Sequence, residues 1–214
     1  MYMLFCFLFS DFYKLDVHEN GEFSQASFKG IQLSIEHADL IQSLLVLNCY
    51  KKEVRFFSCM PMNRSNIKAV YAGDVDGDGA SDFIIHSKYL GGMDVMSSID
   101  IFIVIRIKSF GVFINQFSTY MGSIDSFVDV NKDGRLDFIC DKVTRKEQSI
   151  ELTRCVFTFK DYSVINVTSQ IEAAKVLSCF PQMSGLSVKV GNTKKFEVSE
   201  PVSVGNSCVM MYFF

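Results

Sequence analysis

The chain has no tryptophan, only three prolines and only three histidines in 214 residues. No proline-rich linker or low-complexity tract divides it. The seven cysteines, at 6, 49, 59, 140, 155, 179 and 208, form no C-x-x-C pair, which argues against zinc ribbons and thioredoxin-like redox sites. Scattered thiols of this kind read as small buried apolar side chains. Their odd number leaves at least one outside any intrachain bridge, and Cys49–Cys59 could bridge a hairpin. No G-x-S-x-G elbow, Walker A loop or H-E-x-x-H helix occurs. No basic stripe or nucleic-acid motif is present, which weighs against a nucleic-acid partner. No segment reaches the roughly 20 apolar residues of a membrane-spanning helix. The apolar start, Met1 to Phe9, lacks a basic lead and an A-x-A site, and reads as a trimmed export signal or as a buried first strand.

What the chain does have is apolar bulk. Apolar residues make up 49% of it, 21 of them Phe, and charged residues 21%. That is enough to build a sizeable core as one domain or one repeat array. Short runs rich in Phe, Ile and Val predict strands near 12–17, 23–34, 53–59, 67–72, 82–86, 99–107, 111–116, 126–130, 136–140, 150–160, 163–168, 185–190, 195–199 and 207–213. Ser98 to Ile107 is nearly continuous in apolar side chains and reads as a buried strand. Leu40, Ile41, Leu44 and Leu45 have helical spacing, so 36–47 could be a helix, as could 169–179.

The charge is concentrated in two places. Asp74-Val75-Asp76-Gly77-Asp78-Gly79-Ala80-Ser81-Asp82 and Asp129-Val130-Asn131-Lys132-Asp133-Gly134-Arg135-Leu136-Asp137 share the pattern D-x-[DN]-x-D-G-x-x-D. They hold seven carboxylates, and without those seven charges the net −3 of the chain becomes +4. Carboxylates crowded on one turn repel, and a hard cation bound through oxygen offsets that repulsion. Side-chain oxygens at positions 1, 3, 5 and 9 with the carbonyl of position 7 can wrap Ca²⁺. The expected donors are Asp74, Asp76, Asp78 and Asp82 with the Ala80 carbonyl, and Asp129, Asn131, Asp133 and Asp137 with the Arg135 carbonyl. Four carboxylates against three suggest tighter binding at the first loop. Ala substitution of Asp76 or Asp133 should then lower stability in Ca²⁺ and leave the chelated protein nearly unchanged. An EF-hand needs a bidentate Glu at position 12, but Ile85 and Cys140 stand there, and both loops lead into β-prone residues.

The two loops lie 55 residues apart, close to the periods of repeat architectures, and a four-stranded unit of this length suits a propeller blade. One period earlier, Asp16-Val17-His18-Glu19-Asn20-Gly21-Glu22-Phe23-Ser24 reads as a degenerate copy or as a plain Asn-Gly hairpin. With the lead-in Ala72-Gly73-Asp74, the exit Asp82-Phe83-Ile84 and the stretch Gly111 to Asn115, the loops resemble the Ca²⁺-binding FG-GAP/VCBS repeats of integrin α-like propellers and bacterial surface proteins. The resemblance covers about 67–140, leaving 1–66 and 141–214 as degenerate or capping repeats of a single domain. It implies an all-β fold, a partial or degenerate β-propeller of about three to four repeats. It also implies a non-catalytic, extracellular or cell-surface module that offers a loop surface to a protein or glycan, alone or within a larger chain. The competing readings are a carbohydrate-active or phosphodiester hydrolase with structural Ca²⁺, in which His86 or His37 would work with a carboxylate, and a fragment of a larger surface protein. Asn63-Arg64-Ser65 and Asn166-Val167-Thr168 match the N-glycosylation sequon.

Overall fold

The computed structural model describes residues 12–37, 43–49, 52–58, 62, 65–90, 98–120, 122–146, 149–160, 163–171, 187–190 and 209–213. They form sixteen strands and no α-helix. In chain order these are β1 (Tyr13–Lys14), β2 (His18–Asn20), β3 (Phe23–Phe28), β4 (Ile31–Glu36), β5 (Leu44–Cys49), β6 (Lys52–Phe57), β7 (Ile67–Gly73), β8 (Asp82–Leu90), β9 (Ser98–Lys108), β10 (Gly111–Thr119), β11 (Phe127–Val128), β12 (Asp137–Lys146), β13 (Ser149–Lys160), β14 (Ser163–Asn166), β15 (Ser187–Val190) and β16 (Val209–Phe213).

They make three sheets of largely antiparallel neighbours. The first runs β2-β3-β4-β5-β6, the second β1-β7-β8-β9-β10-β16, and the third β11-β12-β13-β14, with β15 parallel to β13. None of the three closes on itself. The second sheet lies between the other two, and β9 shows why. Its Ile101, Ile103, Ile105 and Ile107 share one face and pack with Leu33, Leu45, Leu47 and Phe56 of the first sheet. Phe102 and Val104 point the opposite way and pack with Phe138, Phe157 and Phe159 of the third. A strand covered on both faces reads as an unbroken apolar run, which accounts for 98–107. Between the second and third sheets the rings of Phe102, Phe117, Phe127 and Phe138 meet at centroid separations of 4.6–5.5 Å. Truncating one such buried ring costs about 3–5 kcal/mol.

Several sequence expectations change. The run 23–34 is a hairpin: Phe28 pairs with Ile31, and Lys29 (φ 47°) and Gly30 (φ 80°) make the two-residue turn. Both turn residues have positive φ, as the twist of a tight hairpin demands. In 36–47, Leu44 to Cys49 alternates partly and fully buried side chains as β5 between β4 and β6, so pairing on both sides overrides the helical spacing. Residues 38–42 lie outside the described residues. The start of 169–179 is a 3₁₀ turn at Thr168–Gln170, and 172–179, 195–199 and 1–11 are likewise outside. The stretch 16–24 takes the hairpin alternative, with His18, Glu19 and Asn20 pairing with Gln25, Ser24 and Phe23. Cys49 is a buried free thiol, so no bridge joins it to Cys59, which is not among the described residues.

Candidate metal centre

Each acidic loop joins two adjacent antiparallel strands, Asp74–Ser81 between β7 and β8, and Asp129–Leu136 between β11 and β12. Neither leads into a helix, so the strand–loop–strand setting predicted from the flanking residues is the one observed.

The two loops share four backbone-to-carboxylate hydrogen bonds, position by position. Asp74 accepts the N–H groups of Asp78 (3.2 Å) and Gly79 (2.7 Å), and Asp129 accepts those of Asp133 (3.1 Å) and Gly134 (2.9 Å). At position 7 the N–H of Ala80 donates to Asp78 (2.8 Å) and that of Arg135 to Asp133 (3.0 Å). At position 2 the N–H of Val75 donates to Asp82 (3.1 Å) and that of Val130 to Asp137 (3.0 Å). The position-6 glycines, Gly79 and Gly134, have φ of 83° and 84°, which a side chain would strain. Position 4 also has positive φ, in Gly77 (73°) and Lys132 (63°). Aspartates at positions 1, 5 and 9 are thus held by backbone N–H donors, which turns their carboxylates into a fixed cup.

The loops also touch. The N–H of Leu136 donates to the carbonyl of Val75 (2.9 Å). Gly77 lies so near the second loop that a Cβ there would stand 2.6 Å from the Gly134 oxygen. All seven carboxylates therefore share one region at the junction of the second and third sheets.

Charge compensation is where the loops part. Oxygens of Asp74, Asp76 and Asp78 lie within 4.8 Å of one another, the one such group of three acidic, His or Cys side chains among the described residues. Two cations from β9 enter this cluster. Lys108 Nζ lies 2.5 Å from Asp76 Oδ2 and 2.5 Å from Asp78 Oδ2. Arg106, fully buried, lies 3.3 Å from Asp76, whose side chain is also buried. The Arg106 guanidinium sits over the rings of Phe113 and Phe159. Burial raises the Asp78 carboxyl, but the Lys108 ammonium and the Ala80 N–H prevail and hold it below the ordinary value. Burial lowers Lys108, yet Asp76 and Asp78 more than restore it. Asp82, wholly buried, has both oxygens taken by N–H groups, of Val75 and of Ile107 (2.9 Å). Burial, with the Asp76 charge, pushes it well above the carboxylate range.

The second loop lacks this set. Asp137 pairs across the sheet with Thr158. The register of β8 with β9 puts Arg106 across from Asp82, one step past the Phe83–Ile105 pair. Thr158 is therefore the counterpart of Arg106, and Asn131 the counterpart of Asp76. The buried Asp–Arg pair of one loop becomes Asn and Thr in the other, so the fourth carboxylate of the first loop is matched by Arg106. Lys160, the counterpart of Lys108, is exposed. Asp137 Oδ1 is buried with no hydrogen-bond partner, and the nearby Thr158 hydroxyl does not complete one. Burial pushes the Asp137 carboxyl up to about 6; the Val130 N–H works against this, and the Asp133 charge adds to it. Asn131 and Asp133 are open to solvent.

Of the ten expected donor residues, the structure draws the side-chain oxygens of Asp74, Asp76 and Asp78 together; Asp82 and Asp137 are the first residues of β8 and β12, and Asp129, Asp133 and Asp137 do not form such a group. The residues missed were Arg106, Lys108 and Thr158, whose partnership depends on strand register. The histidines weighed for catalysis are held elsewhere: His86 bonds to Asp100 (2.8 Å) and stacks on Phe102, and His37 bonds to Ser24. No family model matches the sequence, and the searches of curated proteins and of solved structures returned no match. Among the described residues no helix is long and apolar enough to cross a membrane.

Proposed function

We infer that this chain is a Ca²⁺-stabilised β-repeat module of FG-GAP/VCBS type, a binding or scaffolding unit without catalysis. The supporting observation is the repeated wiring of the two loops, with four matching backbone-to-carboxylate bonds and the same positive-φ positions 55 residues apart. Fixing carboxylates with backbone N–H groups leaves outward oxygens whose mutual repulsion a divalent cation relieves. In the second loop Asp129, Asn131, Asp133 and Asp137 with the Arg135 carbonyl would hold it. The buried, unpartnered Asp137 oxygen supports the fit. Bound there, Ca²⁺ ties β11 to β12 beside the first loop and stiffens the junction of two sheets. The sequential stacking of three sheets suits consecutive blades of a partial propeller. The loop edge is the surface we assign to a protein or glycan partner, in an extracellular or cell-surface setting.

A cation that binds only the folded state stabilises it by about 2.7 kcal/mol at a hundred times its dissociation constant. For a chain of this size that raises the melting temperature by roughly 5–11 °C. Melting curves in CaCl₂ and in EDTA should show the shift for the natural protein and lose it in Asp133→Ala. Equal melting of the natural protein with and without chelator refutes the role.

A further inference from the structure

The two loops match in backbone and differ in what already neutralises them. In the first, an ammonium is held at 2.5 Å by carboxylates of positions 3 and 5, both expected cation ligands. A guanidinium backs the first of these two from below. Asp82, at position 9, has both oxygens bonded to N–H groups. Every expected side-chain donor of this loop except Asp74 is thus engaged by a cation or doubly bonded, and Asp74 itself accepts three N–H groups from its own loop. Among the described residues no such ammonium enters the second loop: the equivalent Lys160 is exposed, and Thr158 replaces the guanidinium. Asp137, at position 9, has one oxygen on the Val130 N–H and keeps the other buried and unpartnered.

We propose that the first loop carries its own cation, the Lys108 ammonium, and that the second loop is the divalent-ion site. This rests on the reading of the loops as Ca²⁺ sites. It reverses the order expected from counting carboxylates, because a divalent ion entering the first loop must displace an ammonium already paired with two of its ligands. Lys108 is a built-in stand-in that keeps one loop shaped when Ca²⁺ is scarce. The second loop answers to the ion. Because Leu136 bonds to Val75 and Gly77 packs on Gly134, the ion-free loop rests against one that is already formed.

The test is an amide NMR titration of EDTA-stripped protein with CaCl₂, following the position-6 glycines Gly79 and Gly134. The Gly134 resonance should move first, with Gly79 needing roughly tenfold more Ca²⁺ or failing to saturate. Lys108→Met should bring the Gly79 midpoint down toward that of Gly134, whereas Lys160→Met should leave both in place. Coincident midpoints in the natural protein, Gly79 moving first, or no response of Gly79 to Lys108→Met would overturn the proposal. If Lys108→Met does not fold, Lys108→Gln and the order of the two glycines in the natural protein still decide it. If neither glycine moves at millimolar CaCl₂, the Ca²⁺ reading of both loops fails, and this proposal with it.

Discussion

Arg106 is the side chain whose loss should be felt most. It is fully buried, 3.3 Å from Asp76, 3.4 Å from the Asn115 side-chain oxygen, and lies over two Phe rings. Replacing it with Met keeps the apolar stem and removes the charge, leaving Asp76 buried with Lys108 as its remaining cation. Breaking a buried pair from one side costs about 3–5 kcal/mol. At roughly 2–4 °C per kcal/mol for this length, the melting temperature should drop by about 6–20 °C. The second loop suggests the remedy. There Asn and Thr occupy the two equivalent places, so Asp76→Asn combined with Arg106→Thr should lose less than Arg106→Met alone. Urea unfolding in EDTA measures both free energies without any contribution from bound ion. If the double variant is as unstable as the sum of its parts, the Asp76–Arg106 match is not what balances the first loop. The same pairing corrects one expectation from the sequence: Asp76→Ala should weaken the chelated protein too, because Asp76 faces Arg106 and Lys108 with or without Ca²⁺.

Asp137→Asn removes a buried charge and gives the unpartnered position an N–H donor beside Thr158; it should stabilise the EDTA-treated protein by on the order of 1–2 kcal/mol and abolish its Ca²⁺-induced melting shift, both read by calorimetry. Gly134→Ala meets open space and should cost only the positive-φ strain, about 1 kcal/mol. Gly77→Ala adds a 2.6 Å collision with the Gly134 oxygen, so urea midpoints should place it well below Gly134→Ala. Burial raises the Cys49 thiol, so iodoacetamide at neutral pH should label it only on unfolding, as peptide mapping would show.

Part of this was legible in the sequence because coordination chemistry leaves its mark locally. Nine residues fix a loop's donors, its glycine and its flanking strands, and the position-6 glycines have the positive φ that glycine alone adopts without strain. β9 was legible for a similar reason, since a strand covered on both faces has nowhere to put polar side chains except at paired positions such as Asp100 and Arg106. What stayed hidden was decided at a distance. Arg106 is thirty residues from Asp76, and nothing in its own neighbourhood marks it as an ion-pair partner. The turn at Lys29-Gly30 was missed because Lys is an unusual choice at positive φ. The alternation of β5 was masked by Leu40 and Ile41 just before it, which complete a helical spacing that the sheet ignores.

The middle sheet is bordered by segments from opposite ends of the described chain, β1 on β7 and β16 on β10. During synthesis, β7 to β10 can zip together early, but the open rim of β10 must wait until residues 209–213 leave the ribosome. Until then the edge of β10 at Gly111–Asn115, with Val112, Phe113 and Ile114, is available to any other strand. Expression yield and resistance to clumping should therefore fall when residues 209–213 are deleted, as soluble yield against the natural chain would show.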